Sequence, residues 1–104
     1  MNDLNKYQND AMAFRMGTAS PEYAVLNLAG EVGELNSLLA KAIRDGRKHD
    51  HDINIKKELG DILWSVAAIA LDNGYTLQDI ADGNISKLTG RKINNTISGS
   101  GDNR

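Results

Sequence analysis

Two short acidic motifs carry most of the chemistry in this chain. One is Gly30-Glu31-Val32-Gly33-Glu34 and the other is Glu58-Leu59-Gly60-Asp61. Each sets two carboxylates three residues apart, which on a helix makes them neighbours on one face. If the two helices pack antiparallel, all four carboxylates converge. Two like charges about 4 Å apart repel by roughly 4 kcal/mol at an effective dielectric of 20, so four at one place call for a cation. Hard oxygen donors without histidine or cysteine suit magnesium, with manganese also admissible, better than zinc or copper. Magnesium keeps several waters and commonly binds through a substrate's phosphates, which points to phosphate chemistry. A lone acidic pair is usually just a solvated face. Two pairs, each beside glycines that a helix interior disfavours by up to about 1 kcal/mol, tip the reading toward metal. Gly30, Gly33 and Gly60 then imply either close backbone approach or room for a ligand.

A second polar set, Asn84, Lys87 and Arg91, recurs at intervals of three and four residues. Lysine offers a point charge and arginine a planar fork, both suited to phosphate oxygens, while asparagine can meet a phosphate or a ribose hydroxyl. Taken alone, the set reads as a basic helix end favoured by the dipole; beside an acidic metal site, a triphosphate reading competes. Trp64 falls nearly opposite the apolar stripe of its helix, so it is expected at a subunit interface, the preferred reading, or against a base. Tyr7, Phe14 and Tyr23 are expected as core or as walls of a base pocket. His49 and His51 alternate with aspartates in a charged stretch and are expected to face water.

The elements that must position these groups are well punctuated. A first helix is expected from about Leu4 to Met16, closed by Gly17, with Leu4, Tyr7, Ala11 and Phe14 at helical spacing. Ser20-Pro21 opens a second helix that runs to about Arg44, with Gly46 beyond its end. A charged loop over 47–52 precedes a third helix, Ile53 to Asp72, which stops at Asn73-Gly74. Thr76 and Asp79 form a variant capping box for a fourth, about Leu77 to Thr89. On helix two, Glu31 projects about 90° from the stripe Val25, Ala29, Val32, Leu35 and Leu39. On helix three, Glu58 projects about 80° from Ile55, Leu59, Ile62, Val66 and Ile69. Both pairs are therefore expected at the margin of a buried face. No strand alternation is present, and the fold class is all-α, with four to five helices.

Composition sets the outer limits. The 104 residues suit one domain, taken here as 1–92, followed by a polar tail over 93–104 expected to be disordered. Aromatics are only 5 % of the chain, so Leu, Ile, Val and Ala must build the core. So small a domain buries roughly 60–65 % of its unfolded surface, which favours completion by homo-oligomerisation. The absence of cysteine removes disulfides and thiolate zinc sites. A formal net charge of −2 argues against gripping nucleic acid through its phosphates. There is no membrane-length apolar run and no signal-peptide layout, so a soluble cytoplasmic protein is expected.

Three segments, Tyr23–Leu35 (YAVLNLAGEVGEL), Lys57–Trp64 (KELGDILW) and Asn84–Arg91 (NISKLTGR), resemble the all-alpha NTP pyrophosphohydrolase superfamily, specifically its MazG-like proteins. With the helices between them, the resemblance covers about residues 4–92. It implies a helical core assembled as a homodimer or a homotetramer. It also implies hydrolysis of ribo- or deoxyribonucleoside triphosphates to the monophosphate and pyrophosphate. Carried over by position, Glu31, Glu34, Glu58 and Asp61 would hold magnesium, and Asn84, Lys87 and Arg91 would hold the substrate's phosphates. Glu34 and Glu58 would be the catalytic carboxylates, Glu34 accepting the proton of the attacking water. One position departs from the pattern: many members carry a further glutamate immediately before the first motif glutamate, where this chain has Gly30.

A reading from another class competes. Ala70, Gly74 and Ile80 have helix-turn-helix spacing, which would send the fourth helix into a DNA major groove. Asp79 and Asp82 on that helix and the net negative charge oppose it, and it leaves four carboxylates idle. A purely structural helical oligomer is a third reading. A di-iron bundle is disfavoured because no Glu-x-x-His motif is present.

Overall fold

Ser20 and Pro21 show how closely local chemistry sets the helix boundaries in the computed structural model, which describes residues 3–94. The Ser20 hydroxyl accepts from the Tyr23 backbone N–H at 3.2 Å, and Pro21 occupies the first helical position. Helix α1 spans Asp3–Met12, α2 spans Pro21–Asp45, α3 spans His51–Asp72 and α4 spans Leu77–Ile93. Among the described residues there is no strand, so the all-α expectation holds. Gly46 ends α2 with φ of 84°, a backbone region that glycine enters freely. Gly74 does the same after α3 at φ 81°, letting the Tyr75 N–H return to the Ala70 carbonyl at 2.8 Å. At α4 the capping box is complete: Thr76 accepts from the Asp79 N–H, and the Asp79 carboxylate accepts from the Thr76 N–H.

Three boundaries differ from the expectation. Helix α1 stops at Met12 rather than Met16, and the chain turns through Phe14 and Arg15 by hydrogen bonds to Ala11 and Met12. Helix α3 begins at His51, which shortens the charged loop. His51 does not face water; it is 96 % buried beneath the end of α2, near Leu38 and Ala42. Helix α4 runs one turn further, to Ile93, so the first residue of the expected tail is helical. The rest of that tail, 95–104, lies outside the described residues.

The main packing unit is the antiparallel pair α2–α3. Asn27 meets Ser65, Glu31 and Glu34 meet Glu58, and Leu38 and Ala42 lie by His51 and Asn54, so positions rise on one helix as they fall on the other. The side of α2 turned toward α3 is Ala24, Leu28, Glu31, Leu35, Leu38 and Ala42, alternating steps of four and three. Its counterpart on α3 is His51, Ile55, Glu58, Ile62, Ser65 and Ile69, the spacing of a helix–helix seam. This corrects the α2 stripe except at Leu35, whereas on α3 the expected Ile55, Ile62 and Ile69 do lie in the seam. Val25, Val32 and Leu39 are 39–56 % exposed, and Leu59 is 51 % exposed. The seam interleaves Leu and Ile with small and polar side chains, which let the helices approach closely where they occur, while several large side chains face outward.

A second layer forms on the other side of α3. Ala67, Ala70 and Leu77 are buried together against Tyr7, Met12 and Val66. Gln8, 95 % buried, holds this layer: its amide donates to the Ala67 and Tyr75 carbonyls, and its oxygen accepts from the Leu77 N–H. One side chain thus ties α1 to α3, to the turn and to the start of α4. No described helix is long and apolar enough to cross a membrane.

Candidate functional site

Glu31 and Glu58 stand inside the α2–α3 seam, not at its margin, and this follows from the four-and-three spacing just described. Each is half-buried, whereas Glu34 and Asp61, one turn on, are exposed at the seam's edge. One carboxylate oxygen from each of Glu31, Glu34 and Glu58 lies within 4.8 Å of the others. Asp61 is the fourth member electrostatically, its charge acting on both Glu31 and Glu58. Loss of surrounding water pushes the Glu31 carboxyl above the ordinary carboxylate range, helped by the charges of Asp61, Glu34 and Glu58. Glu58 is raised too, first by desolvation and then by Glu34 and Asp61. Among the described residues, Glu31 Oε2 and Glu58 Oε2 are buried with no hydrogen-bond partner.

Buried carboxylate oxygens normally have partners, because leaving one unsatisfied costs free energy. Two such atoms in one all-oxygen cluster fit a hard divalent cation, which would supply the missing contacts and offset the repulsion. Three of the four carboxylates expected to converge are thus brought together; Asp61 is not in that group and acts on Glu31 and Glu58 through its charge.

The glycines are open rather than tight. A Cβ built at Gly30, Gly33 or Gly60 would meet nothing within 4 Å, which rules out close backbone approach and leaves space beside the carboxylates. The α4 set is divided. Asn84 and Lys87 border a shallow cleft with Tyr75, Asp79 and Ile80, while Arg91 is 93 % buried and lies outside that cleft. Helix α4 contacts α1 and α3 but not α2, so it is not packed against the helix bearing Glu31 and Glu34.

Trp64 does not project away from its own chain. Its indole N–H donates to the Ala11 carbonyl at 3.1 Å, docking α3 on the end of α1. Its remaining face lines a cleft with Phe14, Met16, Tyr23 and Asn27. Tyr7 belongs to the inner layer, where burial and then the Asp61 charge raise its phenol. Sequence reasoning passed over Asn27, Ser65 and Gln8. The available signal was a single polar residue within each apolar run, Leu26-Asn27-Leu28 and Trp64-Ser65-Val66, at positions one turn from Glu31 and Asp61.

The MazG nucleotide pyrophosphohydrolase domain matches residues 19–95, which takes in both acidic motifs and all of α4. The Gene 37 protein of Mycobacterium phage L5 is 35 % identical over 85 residues, covering 79 % of this chain and 75 % of that protein. No solved structure matches. The helix-turn-helix reading finds no support in these comparisons or in α4, whose first turns carry Asp79 and Asp82. With three seam carboxylates gathered inside the matched region, the chain belongs to the MazG family of nucleotide pyrophosphohydrolases.

Proposed function

We propose that the protein hydrolyses nucleoside triphosphates, ribo or deoxyribo, to the monophosphate and pyrophosphate in the presence of magnesium. The observation that carries this is the pair of unpartnered oxygens in the Glu31–Glu34–Glu58 cluster, set within a nucleotide pyrophosphohydrolase domain. Glu31, Glu34 and Glu58 would hold the metal, with Asp61 beside them, and manganese is the expected substitute. When bound, the metal supplies charge neutralisation for the triphosphate and the pyrophosphate leaving group. Water adds across the α–β anhydride: one phosphorus–oxygen bond forms, one breaks, and a proton is released. Glu34, the accessible member of the cluster, takes that proton, and Glu58 orients the water from inside the seam. The open space over Gly30, Gly33 and Gly60 admits the phosphates.

Asn84, Lys87 and Arg91 are assigned to the phosphates in this reading. Because α4 leaves α2 untouched, a second copy of the chain supplies the closure, as a homodimer or homotetramer. Two observations support assembly. The radius of gyration is 16.6 Å, against about 13 Å for a compact domain of this length. Leu26, Ile43, Ile85 and Ile93 are each more than 60 % exposed. A cytoplasmic nucleotide pool is the expected setting.

The test is pyrophosphate release from a panel of ribo- and deoxyribonucleoside triphosphates, with magnesium or with chelator, for the wild type and Glu58→Gln. Magnesium-dependent release that the variant loses supports the assignment. Release unaffected by chelator, or retained in full by Glu58→Gln, overturns it.

A further inference from the structure

The corner where α2 gives way to α3 holds a buried polar side chain that the carboxylate cluster does not use. His51, the first residue of α3, is 96 % buried. A buried polar ring ordinarily has a hydrogen-bond partner, because leaving it unsatisfied costs free energy. Among the described residues the His51 imidazole has none; only its backbone N–H is engaged, by the Lys48 carbonyl at 3.1 Å. The ring instead lines a cavity of about 180 Å³, together with Leu38, Lys41, Ala42 and Lys48. Neutral or charged, an imidazole carries at least one N–H to donate.

The same cavity lies at the start of a 22-residue helix. Asp50 is the N-cap of α3, yet its side chain makes no capping hydrogen bond. The backbone N–H groups of Asp52 and Ile53 therefore have no protein acceptor among the described residues. First-turn donors point out of a helix's N-terminal end, where the dipole also favours negative charge. The charges around the cavity agree. Lys41 and Lys48 border it, and neither is held in an ion pair. Asp45 is engaged by both prongs of Arg44, at 2.8 and 2.6 Å, and Asp52 lies 3.7 Å from Arg47. Asp50, also on the rim, opposes an anion. A cation fits this corner less well. Among the described residues, only Glu31, Glu34 and Glu58 gather three ligand atoms within 4.8 Å of one another. The volume is below the roughly 300 Å³ at which small-molecule pockets begin, so it suits a small ion.

From this arrangement we infer that the corner is a second binding site, for a phosphate-sized oxyanion: the His51 ring and the free first-turn N–H groups donate to it, and Lys41 and Lys48 balance its charge. His51 and Glu58 lie seven residues apart on the α3 seam, about 10 Å of rise, so the site is separate from the carboxylate cluster. An oxyanion here ties the end of α2 to the start of α3, the two helices that carry the cluster. The inference stands on this corner alone and holds whether or not the protein hydrolyses nucleotides.

The probe is inorganic phosphate, titrated in chelator at fixed pH and ionic strength, with chloride as the control. The chain has two histidines, so in His49→Gln the remaining imidazole C–H resonances report on His51 alone. A saturable shift with phosphate, absent with chloride, is expected. In that background Lys48→Gln should weaken phosphate binding about fivefold. Asp50→Asn should tighten it by a similar factor, since asparagine caps a helix as well as aspartate does. Glu58→Gln should bind phosphate unchanged. Ribose 5-phosphate separates the two sources of the ligand: a free ion if it binds more weakly than phosphate, a phosphomonoester if it binds as well or better. No saturable shift, an equal shift with chloride, or an affinity that neither Lys48→Gln nor Asp50→Asn moves overturns the site. A shift lost in Glu58→Gln overturns it too, by placing the phosphate at the carboxylate cluster.

Discussion

Replacing Glu31 by Gln should make the metal-free protein more stable and remove its response to magnesium. Glutamine keeps the shape of the side chain and deletes one charge from a cluster whose oxygens lie within 4.8 Å of one another. Two unit charges about 4.8 Å apart repel by about 0.9 kcal/mol in bulk water and about 3.5 kcal/mol at an effective dielectric of 20. Glu31 is half-buried and Glu34 exposed, so solvent screening holds their pairwise repulsion near the lower figure, about 1 kcal/mol. For a domain of this size that is a rise in Tm of about 4–8 °C in chelator. In magnesium the order changes. A cation at ten times its Kd stabilises the wild type by RT ln 11, about 1.4 kcal/mol, and the variant gains much less. The assay is thermal unfolding of both proteins across a magnesium titration that starts from chelator. A Tm in chelator below that of the wild type would refute the reasoning, because Glu31 would then be a net contributor to the fold. An undiminished magnesium response would remove Glu31 from the cation site.

Other expectations rest on separate features. In chelator, stability should fall as pH rises from about 5. Glu31 and Glu58 have folded-state proton affinities above their ordinary value, so the folded chain binds more protons and loses that advantage as they ionise. Unfolding followed from pH 4.5 to 8 should show this slope, and a shallower one in Glu31→Gln. Gly60→Ala places a methyl in open space on a helix, so it should stabilise the fold by up to about 1 kcal/mol while lowering pyrophosphate release; unchanged activity would mean that the space is not used. Gln8→Leu strands the Leu77 N–H and removes two further hydrogen bonds, a loss of roughly 2–4 kcal/mol measurable by urea denaturation. Asp72→Asn weakens the two-pronged hold on Arg15 and should raise KM for the preferred nucleotide more than it lowers Tm.

The helices were legible because their ends are written in local chemistry: Ser20-Pro21, Gly46, Gly74 and the Thr76–Asp79 box act within a few residues of one another. The acidic motifs were legible for the same reason, since a spacing of three needs only a helix to bring two carboxylates together. Burial was harder to read, and the seam shows why. Counting apolar residues placed the inner face of α2 on Val25, Ala29, Val32, Leu35 and Leu39, and Leu35 does face α3; the rest of that face is Ala24, Leu28, Glu31, Leu38 and Ala42, with Asn27 bonded across to Ser65. That error hid the property that makes the carboxylates chemically useful. A glutamate at a stripe's margin can turn to water; Glu31 and Glu58, inside the seam, each keep a buried oxygen with no hydrogen-bond partner among the described residues. The same misplacement hid Asn27 and Ser65, which read as interruptions of an apolar run until the seam put them face to face. The outward-facing Leu26, Ile43 and Ile85 fit the proposed assembly: a seam that gives up positions to Glu31, Glu58, Asn27 and Ser65 buries less apolar surface, and a second copy covering those three residues would add to it.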